Sequence, residues 1–211
     1  NINEVSTDIT LDGTDVDESQ ISGTVVGTFE TIDPDNNNTF TYTLTNNVND
    51  VPLPFEISGN VLRTTRELNY EGGDQSYNIN VESYDGANTI SREFTIYVND
   101  INETPTDIVL TNTHDAVNEN VKIGYVVGTF STIDEDANSS FTYTLNTNNV
   151  PFKIVDNELI TTEQLDYAQS PYTINVTSED NTGLSTQKSF DITLHEIKLT
   201  LDYNSVNENM V

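Results

Sequence analysis

The sequence predicts an all-β protein of two tandem β-sandwiches, about seven strands each. Three observations predict it: a long internal repeat, an alternation of apolar and polar residues with a period of two, and turn-forming clusters between the alternating runs. "GTVVGTFETIDPDNNNTFTYTL" begins at Gly23 and "GYVVGTFSTIDEDANSSFTYTL" at Gly124, in register without a gap. "FEISGNVLRTTRELNYE" from Phe55 matches "FKIVDNELITTEQLDYA" from Phe152, and "YNINVESYDG" from Tyr77 matches "YTINVTSEDN" from Tyr172. With 211 residues the chain divides naturally into two units, each large enough to bury a modest core.

Each unit opens on one acidic phrase, "NINEVSTDITL" from Asn1 and "VNDINETPTDIVL" from Val98. Later in the unit the inward positions can be read directly: Phe141, Tyr143, Leu145; then Phe152, Ile154; then Tyr172, Ile174, Val176; then Phe190, Ile192, Leu194. Runs rich in Thr, Val, Ile, Tyr and Phe with that period specify strands with one face turned to a core. Asn36 to Asn38, Gly72-Gly73 and Asn181 to Gly183 break the runs as turns, and no segment sustains the 3.6 period of an amphipathic helix. "SVNENMV" from Ser205 echoes "AVNENVK" from Ala116, so the chain reads as an excerpt of a longer array. The expected division is 1–3 as the tail of a preceding linker, 4–102 and 103–198 as whole units, and 199–211 as the first strand of a third. Leu199 to Val211, lacking its own sandwich, is expected to be mobile or to borrow a neighbouring edge.

Charge narrows the partners. There are 35 acidic residues against 7 basic ones, a formal charge of -28, so self-repulsion opposes compaction unless something neutralises it. Nucleic acid and anionic membranes reward Lys and Arg and repel such a surface, whereas multivalent cations are attracted to it. Cysteine is absent, which excludes disulfides, thiolate metal sites and a Cys nucleophile. No stretch approaches the length of a membrane-spanning segment, and no basic-then-apolar leader opens the chain.

Scattered acids such as Asp15, Glu82 and Asp156 read as solvated surface. Others recur in register at strand ends and turns: Glu18 and Glu119, Asp33 with Asp35 and Asp134 with Asp136, Asp85 and Asp180, and Asp100 with Glu103 at the junction. In a sandwich these places gather at the two poles.

Those positions compose a glutamate motif ("DES", "NEN"), a DxD turn ("DPD", "DED"), an LDxE-like motif ("LNYE", Leu68 to Glu71), a late aspartate ("YDG", "EDN") and the linker "DINETP". In that order, and twice, they resemble tandem cadherin repeats in their bacterial form over essentially the whole chain. The resemblance implies immunoglobulin-like Greek-key sandwiches arranged end to end, with about three Ca²⁺ ions in the linker. Carried over by position, the ligands would be Glu18, Asn69 and Glu71 from the first unit. The linker would add Asp100, Asn102, Glu103 and the carbonyls of Ile101 and Thr104, and the second unit Asp134, Asp136 and Asp180. Hard Ca²⁺ takes roughly six to eight such oxygens and tolerates irregular geometry. Seven carboxylates in that set meet six positive charges from three ions, so the cluster nearly balances. Empty, two carboxylates about 4 Å apart repel by roughly 4 kcal/mol at an effective dielectric near 20.

The pattern also departs from the family. Asn69 stands for the usual Asp and Glu103 for the Asp of animal cadherins. At the second junction Ala168 replaces the expected Glu, and Lys198 stands in the position of Asn102, so that junction is expected to bind calcium poorly and to act as a hinge. At the first unit's own top, Asn3, Asp33, Asp35 and Asp85 match half of a linker site, with one ion expected there.

No enzyme is expected. His114 and His195 read as surface histidines, the paired carboxylates recur in every unit rather than flanking one cleft, and no Gly-rich phosphate loop is present. The chain contains no Trp, and most Tyr and Phe follow the inward pattern, with Tyr84 and Tyr203 as exposed exceptions. The expected function is thus a Ca²⁺-rigidified spacer or stalk of a large bacterial surface or secreted adhesin, extracellular and monomeric. Its partners are neighbouring repeats, with cell-surface molecules or glycans engaged through other domains. Direct homophilic or partner adhesion, and a carbohydrate-binding module appended to an enzyme, are the alternatives.

Overall fold

A computed structural model of the chain describes residues 3–35, 39–45, 52–112, 116–137 and 139–198. The turn at Asn36 to Asn38, His114, Tyr203 and the trailing segment from Leu199 lie outside the described residues. The chain forms two compact units that divide between Asn102 and Glu103.

In the first unit the strands are β1 (Asp8–Leu11), β2 (Asp15–Asp17), β3 (Val25–Ile32), β4 (Thr41–Leu44), β5 (Phe55–Ser58), β6 (Val61–Thr64), β7 (Ser76–Tyr84) and β8 (Thr89–Asn99). They form two sheets, β1-β3-β6-β5 and β2-β8-β7-β4. All pairings are antiparallel except β2 with β8. The period-two rule places Ile79 and Val81 of β7 and Ile96 and Val98 of β8 inward, facing Phe29, Phe55 and Leu62 of the other sheet. Phe29 stacks on Tyr42 at 5.5 Å and tilts against Phe94 at 5.7 Å, while Phe55 meets Tyr77 edge-on at 5.4 Å.

The second unit repeats the plan with β9 (Asp107–Asn112), β10 (Val117–Asn118), β11 (Val126–Ile133), β12 (Phe141–Leu145), β13 (Phe152–Val155), β14 (Glu158–Thr161), β15 (Tyr172–Asp180), β16 (Ser185–Ile192) and β17 (Leu194–His195). Its sheets are β13-β14-β11-β9 and β12-β15-β16, with β10 and β17 as a short parallel pair. Phe130 stacks on Tyr143 at 5.5 Å and meets Phe190 at 5.6 Å, and Phe152 meets Tyr172 at 5.5 Å. Among the described residues the one helical segment is a 3₁₀ turn at Tyr167–Gln169. No helix of the described residues is long and apolar enough to cross a membrane.

Two devices recur beneath this plan. A partly buried hydroxyl trio satisfies the tyrosine that alternation turns inward: Thr31, Tyr42 and Ser83 are linked by bonds of at most 2.9 Å, and Thr132, Tyr143 and Ser178 by bonds of at most 3.0 Å. In both units the long strand also bulges at a glycine, between Val25 and Gly27 and between Val126 and Gly128. A Cβ at Gly27 would lie 2.6 Å from the Gly13 carbonyl oxygen, and one at Gly128 would lie 2.8 Å from that of Thr111, so the close backbone approach requires Gly.

Tyr84 is exposed, but Tyr97 and Tyr167 are exposed too, which adds to the sequence reading of the aromatic residues. Tyr97 sits between inward Ile96 and Val98, so the strand period itself turns it out. His195 lies exposed on β17.

Candidate metal-binding poles

At the distal pole of the first unit, Glu18 follows β2 and is 1% exposed. Its backbone amide donates to Asn99 O, and its carboxylate accepts Ile101 N at 2.9 Å and Tyr70 N at 2.6 Å. One side chain thus ties the exit of β8 to the loop between β6 and β7. Leu68, 2% exposed, anchors that loop in the core and leaves Asn69 and Glu71 at its tip. A carboxylate oxygen of Glu71 lies within 4.8 Å of one of Glu18, and likewise of one of Asp100. Asp100 and Ile101 are exposed and Asn102 is half-buried on the segment leaving β8.

The proximal pole of the same unit holds Asp33 and Asp35 in the turn after β3 and Asp85 after β7. Asp35 N donates to Asp33 Oδ1 at 2.7 Å, Ser6 Oγ to Asp33 Oδ2 at 2.6 Å, and Glu4 N to Asp35 Oδ2 at 2.6 Å. Asp85 Oδ1 accepts Asn88 N at 2.7 Å and Ala87 N at 2.8 Å. These amides hold its carboxyl below the usual range, with a smaller contribution from Asn3.

The proximal pole of the second unit has the same skeleton. Asp136 N donates to Asp134 Oδ1 at 3.0 Å and Glu103 N to Asp136 Oδ2 at 2.8 Å, with Thr104 exposed beside it. Asp180, 5% exposed, gathers the amides of Thr182, Gly183 and Leu184 and the Thr182 hydroxyl on Oδ1 at 2.7–3.0 Å. One donor is missing. Pro105 occupies the position of Ser6, and Asp134 Oδ2 is buried with no hydrogen-bond partner. Burial, followed by the neighbouring Asp136 carboxylate and then Asp180, pushes the Asp134 carboxyl up, against the opposing Asp136 amide.

The second unit's distal pole differs in kind. Glu119 accepts Ile197 N at 2.9 Å, the counterpart of the Glu18 bond to Ile101. Asp166, in the place of Asn69, caps the 3₁₀ turn by accepting Ala168 N at 3.0 Å and Gln169 Nε2 at 3.3 Å. Glu196 takes Lys198 Nζ at 3.1 Å, and Ala168 offers no carboxylate.

Every donor gathered at the first three poles is a carboxylate, amide or carbonyl oxygen, the set that suits a hard divalent cation. The buried, unpartnered Asp134 oxygen fits such an ion, because a cation would satisfy a lone pair that no protein hydrogen reaches. Two features escape sequence reasoning: the Ser6 to Pro105 exchange and the bracing of the Glu71 loop by Arg66 and Asp74. The available signals are a proline in place of a hydroxyl and a loop two residues longer in the first unit, where Arg66 to Tyr77 aligns with Glu163 to Tyr172.

No family model matches the chain. Over 147 residues, 65% of the chain, it is 32% identical to human protocadherin gamma-B7, and over 161 residues it is 29% identical to human protocadherin gamma-A5. It spans only 16% and 17% of the length of those relatives. Among solved structures, PcdhgB3 EC1-4 superposes with a TM-score of 0.70 at 27% identity, covering 90% of this chain and 50% of that one. The protocadherin gammaB7 EC3-6 cis-dimer does so with a TM-score of 0.66 at 25% identity, covering 90% and 48%. Human protocadherin-24 EC1-2 shares the fold, with a TM-score of 0.73 at 19% identity over 93% of this chain and all of that one. The chain is a tandem pair of immunoglobulin-like sandwiches of cadherin-like type.

Proposed function

We propose that the two repeats form a calcium-stiffened spacer in a large bacterial surface or secreted adhesin, working outside the cell as a monomeric segment between neighbouring repeats. The ligands would be Glu18, Asn69 and Glu71; Asp100, Asn102, Glu103 and the carbonyls of Ile101 and Thr104; and Asp134, Asp136 and Asp180. About three Ca²⁺ ions fit that number of oxygens, and a further one fits the first unit's proximal pole with Asn3, Asp33, Asp35 and Asp85. Bound calcium supplies positive charge where carboxylates otherwise repel. The residues supply orientation: backbone amides hold Glu18, Asp85 and Asp180 in fixed rotamers, so little ordering remains for the ion to impose.

The observation that carries this reading is Asp134, a carboxylate with one buried oxygen that has no hydrogen-bond partner and a pKa raised by burial and by neighbouring acids. A carboxylate so placed is destabilising unless a cation joins it. Dissociation constants of about 10⁻⁴–10⁻³ M are usual for extracellular calcium modules. The test is small-angle scattering across a calcium titration, read beside calorimetric stoichiometry. Saturable uptake with a stiffening profile is expected; a profile indifferent to calcium up to roughly 10 mM, ten times the weakest such constant, overturns the proposal.

Direct adhesion between copies is the second reading, favoured by the likeness to a protocadherin solved as a cis-dimer. Sedimentation in calcium separates the two, since a spacer stays monomeric and an adhesive module associates as concentration rises.

A further inference from the structure

The loop that carries Asn69 and Glu71 leaves β6 at Thr64 and rejoins β7 at Ser76. Its base is closed by one carboxylate. Asp74 accepts Arg66 Nη1 at 2.6 Å and Nη2 at 2.8 Å, a two-pronged pair, and also accepts Asn69 N at 3.1 Å and the Tyr77 hydroxyl. Arg66 donates further to Tyr77 Oη at 3.1 Å and to the Glu67 carbonyl at 2.9 Å. Asp74 N returns to Asn69 O at 3.0 Å and Gly73 N to Tyr70 O at 3.1 Å, so Asp74 grips Asn69 through both side chain and backbone. The tip between them is narrow: a Cβ at Gly72 would fall 2.6 Å from Asn69 Oδ1, and Gly73 has φ +106°.

This bracing faces a definite load. A Glu71 oxygen lies within 4.8 Å of oxygens of Glu18 and Asp100, and two unit charges at that separation repel by about 3 kcal/mol at an effective dielectric near 20. Without restraint the tip would swing away from the pole. The second unit supplies the contrast: Glu163 replaces Arg66, no carboxylate stands between Ala168 and Tyr172, and Tyr172 Oη takes Asp166 N directly at 3.1 Å across the shorter loop. That loop carries Ala168 in place of Glu71. The brace and the carboxylate it would hold occur together in one unit and are missing together in the other.

We propose that Arg66, Asp74 and Tyr77 are positioning residues that set the calcium affinity of the first unit's distal pole by holding Glu71 and Asn69 in their ligand-presenting places. The inference rests on the calcium reading above and goes beyond it, because none of the three residues is a ligand. Purely local stability is the competing role, since the pair is two-pronged with Asp74 only 16% exposed, and the comparison of chelator with calcium below separates the two.

The test uses the whole 211-residue chain. Calcium binding is measured by calorimetry against a competing chelator for wild type, Arg66→Ala, Arg66→Lys and Asp74→Asn. The expected result for Arg66→Ala is an apparent dissociation constant raised about 10–100-fold with stoichiometry kept, as for the loss of a group that orients a ligand. Arg66→Lys falls between, since an ammonium cannot make the planar two-pronged pair. Asp74→Asn tracks Arg66→Ala. In a Glu71→Gln background, Arg66→Ala adds less weakening than it does in wild type, the remainder acting through Asn69. An Arg66→Ala isotherm equal to wild type, full additivity with Glu71→Gln, or a fall of the thermal midpoint in chelator as large as that in calcium each overturns the positioning role alone. A wild-type chain that takes up no calcium overturns the calcium reading itself, and the positioning role with it.

Discussion

The proximal poles of the two units share a DxD skeleton and differ in one hydroxyl donor to its first carboxylate. In the first, Ser6 Oγ reaches Asp33 Oδ2 at 2.6 Å; in the second, Pro105 stands there and the equivalent Asp134 oxygen is buried and bare. Beneath this difference the cores barely change, with aromatic centroid spacings of 5.5 and 5.7 Å in one matched by 5.5 and 5.6 Å in the other. Close packing penalises any change of shape in the interior, so divergence collects at the poles, where a single donor decides whether a carboxylate is content alone. On the calcium reading proposed above, the second unit's proximal pole depends on its ion more than the first unit's does.

The largest effect expected from this contrast is on calcium-dependent stability. Asp134→Ala with Asp136→Ala should remove most of the rise in thermal midpoint that calcium gives the wild-type chain, a site's calcium being worth about 2.7 kcal/mol at 100 times its dissociation constant. Asp33→Ala with Asp35→Ala should remove a smaller part. Equal losses from the two pairs in differential scanning would erase the distinction between the poles.

Next in size is a gain at the second unit's distal pole, where Asp166 caps a turn and Glu196 holds Lys198. Ala168→Glu with Lys198→Asn restores the carboxylate and the amide of the first unit's distal pole. It should raise calcium uptake in equilibrium dialysis above wild type. Unchanged uptake would mean that the shorter, unbraced loop, and not the ligand types, sets the difference. Ser6→Ala is smaller again. It removes the hydroxyl donor from Asp33 and should lower chelator-state stability by about 1 kcal/mol, the usual net worth of one hydrogen bond. Denaturant unfolding reads it, and a null result would make the serine incidental.

How much of this could be read from the chain alone follows from its physics. The sandwiches could be, because burial on one sheet face forces a period of two that survives in Ile79, Val81, Ile174 and Val176, and the repeat shows it twice. Tyr97 follows from the same period once Ile96 and Val98 are placed inward. The recurring acids stood out because they share register positions at turns. Their individual circumstances did not, since the donors that satisfy Asp33 and Asp85 are a hydroxyl 27 residues away and loop amides whose direction depends on local backbone. The Asp74 brace was hidden for the same reason: Arg66 and Asp74 meet only when a loop with Gly73 at φ +106° closes between them.

The smallest expected effect has the most distinctive sign. Burial first, and then Asp136 and Asp180, raise the Asp134 carboxyl pKa in the ion-free fold. The folded state therefore holds a proton there more tightly than the unfolded chain, and the stability this group contributes is gained as pH falls toward its folded pKa and lost as pH rises through it. Asp85, held low by the Asn88 and Ala87 amides, has the opposite sign: its contribution is lost as pH falls through its own folded pKa. Asp134→Asn isolates the first contribution. In chelator the variant should be more stable than wild type at neutral pH, and that advantage should shrink on acidification as wild-type Asp134 takes up its proton. In saturating calcium the order at neutral pH should reverse, because the ion needs the charge that the fold alone does not tolerate. Chemical denaturation across that pH range, with and without calcium, reads both signs. A variant less stable than wild type in both conditions would make Asp134 an ordinary structural carboxylate and remove the asymmetry between the poles.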